Sequence, residues 1–152
     1  MTIVAMLLAL LLAVIAIVHA LWGLRVWWPM ADEQSLARAV VGSPGIARMP
    51  APYLCHLVAL TLLGAAGVAL QLGGVTRLPV VPGWFVQLAA AGLALVLLLR
   101  GVGGYFLSWS ARTPEEPFRT YDRRYYSPLC IALGLGFATL AWPAANTWIW
   151  IW

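Results

Sequence analysis

Few side chains in this sequence can do more than fill space, and those that can are set among oily residues. His19 stands in the first apolar run, His56 and Gln71 in the second, and Gln87 and Arg100 in the third. An imidazole can serve as base, hydrogen-bond partner or metal ligand, and a guanidinium offers five donors and a permanent charge suited to an anion. Polar groups of this kind are costly in hydrocarbon, so each is a functional candidate by default. Cys55 and Cys130 lie in different runs and form no Cys-x-x-Cys, which leaves out the usual zinc and thiol-disulfide spacings and reads as two apolar thiols. His19 reads as a neutral imidazole bonded to a neighbouring helix. A second reading has His19 and His56, at similar depth on adjacent spans, hold a haem as two axial nitrogens, or a transition metal with a nearby cysteine.

Arg100 admits three readings: snorkelling to the headgroups, binding an anionic group in the protein interior, or pairing with Asp122 or a helix C-terminus. The stretch Trp84 to Trp109 around it is 26 residues long, more than a straight span needs. All five carboxylates, Asp32, Glu33, Glu115, Glu116 and Asp122, fall in two connecting segments. No embedded acid is therefore available to cycle protons in a cation exchanger. Nor does any Ser or Cys carry a spaced His-Asp set, so an enzyme is the lesser reading.

The elements that must position these groups follow from composition. Of 152 residues, 63% are hydrophobic and 9% charged, with mean hydropathy +0.90, where soluble domains carry about a quarter charged residues. Lipid is the solvent that tolerates this balance. Four long apolar runs predict transmembrane helices over about residues 2–26, 52–72, 84–106 and 127–149, in a single all-α domain of 1–152. A signal peptide fits the first run poorly, since Met1 to Ala16 lacks a basic residue. Pro52 suits a first helical turn, and Ser127-Pro128 reads as a cap followed by a first-turn proline. The terminal Trp148 to Trp152 reads as an interfacial aromatic belt. Close helix contacts are expected at Gly64, Ala65, Ala69, Ala90, Gly92, Ala94, Gly134 and Gly136.

Charge sets the orientation. The first and third connections hold seven of the nine arginines and the second holds only Arg77, so the positive-inside bias predicts a multi-pass inner (plasma) membrane protein with both termini non-cytoplasmic. Within the first connection, Asp32 to Gly42 reads as a short surface helix on the cytoplasmic side, with an acidic start and a glycine stop. Nucleic acid is not an expected partner. Membrane lipids are, together with a small anionic or lipidic ligand or a partner membrane protein, and a homo-oligomer is compatible.

The stretch Arg100 to Ala138, with Phe118, Asp122, Tyr126, Ser127, Pro128, Leu129 and Cys130 at its centre, resembles the bacterial membrane family called domain of unknown function 3995. His19-Ala20-Leu21-Trp22-Gly23 adds to the likeness. The resemblance implies a small four-helix membrane protein and supplies no activity. Members often follow Arg-x-x-Gly with Asp, where this chain has Gly104, so an Arg-Asp pair within the third helix is not expected here. Together these features predict a binding or accessory module in which His19, Arg100, Asp122 and Tyr126 form one polar pocket near the cytoplasmic face. The alternatives are a haem or metal protein through His19 and His56, and an assembly subunit of a membrane complex.

Overall fold

In lipid a backbone must satisfy its own hydrogen bonds, and a run of about 20 apolar residues does so as a helix. The computed structural model describes residues 1–76 and 81–147, with the backbone alone from 143. Its elements are α1 (Thr2–Gly23), α2 (Glu33–Val40), α3 (Pro52–Leu72), α4 (Gly83–Gly103), α5 (Leu107–Arg112), α6 (Phe118–Tyr121), a π-helical turn (Asp122–Tyr126) and α7 (Ser127–Thr147). Four stretches are long and apolar enough to cross a membrane: α1, α3, α4 and the continuous Phe118–Trp142. The fold is an all-α four-helix bundle. The aromatic tail from Trp148 lies outside the described residues.

The bundle pairs α1 with α3 and α4 with α7, and a more limited approach of α3 to α4 and of α1 to α7 completes it. Small residues allow that approach. Ala65 and Ala69 of α3 and Ala90 and Ala94 of α4 are buried in one core with Leu8, Leu12 and Phe137. A Cβ on Gly134 would come within 2.8 Å of Leu98, and one on Gly136 within 2.8 Å of Leu8. The expectation fails at Gly64 and Gly92, which have open space around them because they lie on outward faces of their helices. This core occupies one half of the bundle, from the start of α1 and the end of α3 to the second half of α7.

The opposite end is built differently. The long third run is not one helix: α4 stops at Gly103, and α5 turns away after Tyr105 and Phe106. Ser127 is not a cap, since helix continues into it from Phe118 through the π-helical turn. Pro128 offers a reason for that turn, because it lacks an N–H and its ring crowds the carbonyl four residues earlier. Ser127 N–H instead bonds the carbonyl of Asp122, five residues back.

Two connecting segments close over this end. Asp32 caps α2 by accepting hydrogen bonds from Ser35 N–H at 2.8 Å and Ser35 Oγ at 2.9 Å, which hold its carboxyl below the usual value. Gly42 ends the short helix with a left-handed backbone (φ 71), and a Cβ there would strike the Phe118 ring. Glu115 joins the connections, accepting from Arg38 Nε at 3.1 Å and Gly45 N–H at 3.0 Å.

Candidate functional site

α4 and the chain leading into α7 meet where neither has a side chain in the way. A Cβ on Gly101 would lie 2.8 Å from the Ser127 carbonyl, and one on Gly104 would overlap Ser127 Oγ and come within 2.9 Å of Asp122 Oδ2. Position 104, where the family resemblance suggested an Asp, has no room for a side chain here. The acid comes from Asp122 instead, 2% exposed and turned toward α4 by the π-helical turn.

Asp122 gathers two donors. Arg100 Nη2 donates to Oδ1 at 2.5 Å, and Trp109 Nε1 donates to Oδ2 at 2.9 Å. The guanidinium also lies over the indole, with its central carbon 4.5 Å from the ring centre. α5 brings Trp109 back to this cluster. The ion pair with Asp122, one of the three readings of Arg100, is present in the structure. Arg100 Nη1 and Ser127 Oγ are buried without a hydrogen-bond partner among the described residues.

Beside this cluster is a cavity of about 670 Å³, walled by the second half of α1, α2, the start of α3 and the start of α7. His19, Cys55, Arg100 and Tyr126 contribute to its wall, and the remaining lining is almost wholly aliphatic and aromatic. Tyr126 donates from its hydroxyl to the Ala39 carbonyl at 3.1 Å, tying α2 to the entrance of α7. The expectation for His19 needs correcting, for its Nδ1 bonds the Ile15 carbonyl of its own helix at 2.9 Å, not a neighbouring helix. A carbonyl only accepts, so Nδ1 carries the proton and neutral His19 keeps its free lone pair on Nε2.

The predicted polar group is thus brought together in part. His19, Arg100 and Tyr126 line one cavity, while Asp122 stands behind Arg100 and neutralises it. His56 is elsewhere: its ring packs on the backbone of Gly23, where a Cβ would lie 2.5 Å from Cε1, and it does not line the cavity with His19. No group of three or more His, Cys, Asp or Glu that could hold a metal occurs among the described residues. Gln87 is at the start of α4, remote from the cluster, with a buried Nε2 lacking a partner among those residues.

Sequence reasoning missed Trp109, Ser127 and the close approach at Gly104. Gly101 and Gly104, three residues apart on one helical face, were the signal for the last. Nothing in the spacing of Trp109 announced a bond to Asp122, because the turn after α4 decides it.

Fold and site together define a four-helix polytopic membrane protein with an ion-paired arginine beside an apolar cavity at one end. The chain belongs to a family described as proteins of unknown function, DUF3995, whose family model matches residues 12–137. That match takes in every residue of the cluster and the cavity wall. No curated protein and no solved structure matches the chain.

Proposed function

We propose that this protein is a membrane-embedded binding module whose cavity, at the cytoplasmic end of the bundle, holds the apolar part of a lipid-soluble molecule. The observation that carries this reading is the cavity of about 670 Å³, which has the size and the largely apolar wall of small-molecule sites. Its polar groups are few and fixed. Arg100 is held by Asp122 and Trp109 with Nη1 unpartnered, and His19 is oriented by its own helix, so together they can steer a ligand. Because Asp122 matches the charge of Arg100, the cavity suits an uncharged segment that accepts a hydrogen bond more than a free anion.

Extraction of the purified, detergent-solubilised protein followed by mass spectrometry tests the reading. A lipid-soluble molecule should co-purify with the native chain and be lost from Val58→Trp, in which a large ring enters the cavity. Equal recovery from two equally monodisperse preparations would reject it.

A further inference from the structure

Next to the apolar cavity is a second hollow of about 480 Å³, lined by Trp22, Arg25, Trp27, Glu33 and Arg48 and by residues 49–52. The two share Trp22, Met49 and Pro50 as a common wall. Their chemistry differs. The larger holds no unmatched charge, since Arg100 is neutralised by Asp122. The smaller sets two arginines against one carboxylate, and Glu33 is already engaged, accepting from the Met49 N–H at 3.1 Å. Neither Arg25 nor Arg48 forms an ion pair among the described residues.

Arg25 is also conformationally costly. It takes a left-handed backbone, φ 61, at the end of α1, with Arg25 N–H bonding Trp22 O at 3.0 Å and Val26 N–H bonding Leu21 O at 2.9 Å. That hydrogen-bond pattern closes many helices and is normally served by glycine, which alone adopts it without steric cost. A strained arginine at a place made for glycine points to a use for its side chain.

We infer that the ligand is an anionic phospholipid, with its phosphate between Arg25 and Arg48 and its acyl portion in the neighbouring apolar cavity. The inference rests on the binding-module reading and adds the headgroup. Two guanidinium forks suit phosphate oxygens, which each can meet with paired donors. The shared wall favours one amphiphile over a free anion, because only a molecule polar at one end and oily at the other satisfies both hollows at once. Trp22 and Trp27 beside the arginines are residues that settle at the headgroup level of a bilayer.

The test uses the full-length protein in detergent micelles, titrated separately with dioleoyl phosphatidylglycerol, dioleoyl phosphatidylcholine and inorganic phosphate, with bound lipid counted by native mass spectrometry. The expected preference for the anionic lipid is about fivefold per arginine. Arg25→Gln/Arg48→Gln should erase that preference, Arg25→Lys/Arg48→Lys should keep most of it, and Val58→Trp should lower binding of both lipids. Equal binding of the two lipids by the native chain, or an unchanged preference in the glutamine variant, overturns the headgroup assignment while leaving the cavity reading intact. Displacement of the anionic lipid by low-millimolar inorganic phosphate overturns it in favour of a free-anion site. If Val58→Trp instead binds both lipids as the native chain does, the cavity reading fails, and the acyl placement fails with it.

Discussion

At the level of single residues, the centre of this protein is one buried carboxylate with two donors. Asp122 has almost no contact with solvent, and the Arg100 side chain is 29% exposed. Removing one partner of such a pair leaves a charge without compensation, at a cost of about 3–5 kcal/mol for a fully buried pair and less where solvent reaches the cation. Asp122→Asn keeps an acceptor for Trp109 but strips the charge that Arg100 needs. Thermal unfolding in detergent should show it clearly less stable than the native chain, with Arg100→Met/Asp122→Leu recovering much of the loss. A native-like melting temperature for Asp122→Asn would show that solvent or lipid already satisfies Arg100. The residue types behind this pair were legible in the sequence, where Arg100–Asp122 was one of three readings of Arg100. What was not legible is the geometry that selects it, because 22 positions separate the partners and their meeting depends on a π-helical turn and on Gly104 lacking a side chain.

At the level of elements, apolar run length was enough to place four long helices, since nothing else satisfies a backbone in lipid. Run length failed after Gly103, where the chain to Trp109 remains apolar but folds back into α5. Hydropathy measures what a segment dissolves in, and a re-entrant turn is as oily as a helix. The short α2 was readable from its cap and glycine stop, whereas its attachment was not. Leu36, Ala37 and Ala39 are buried beneath it, Glu115 joins its far end to the third connection, and the Asp32 cap secures its start. Asp32 has a depressed pKa from the hydrogen bonds of Ser35, so its stabilisation is complete above the ordinary value of 3.8 and fades as pH falls through the lowered one. Protection from hydrogen exchange over residues 33–45, taken relative to the intrinsic rate at each pH, should therefore fall in Glu115→Ala at neutral pH, and in the native chain only on strong acidification. Exchange that ignores both changes would mean that burial of Leu36 and Ala37 alone holds α2.

Over the whole molecule, packing quality divides along the bundle axis. One half is closed by alanines, Leu12 and Phe137, and the other is left hollow beneath two connections that carry seven of the nine arginines. A membrane protein can hold a hollow where it has a use, since lipid supplies no hydrophobic drive to collapse it and close helix packing elsewhere carries the fold. Which leaflet the hollow end meets decides which headgroups reach Arg25 and Arg48. The arginine bias predicts the cytoplasmic leaflet, where anionic lipids raise the local concentration of a phosphate-bearing ligand. A single cysteine at Thr113, in a chain with Cys55 and Cys130 replaced by alanine, checks this with a membrane-impermeant maleimide. Thr113 is only half-buried and stands at the end of α5, in the third connection. Labelling should require permeabilised cells. Labelling of intact cells would turn the molecule over, place the hollow against the outer leaflet, and remove the electrostatic reason for an anionic lipid to collect there.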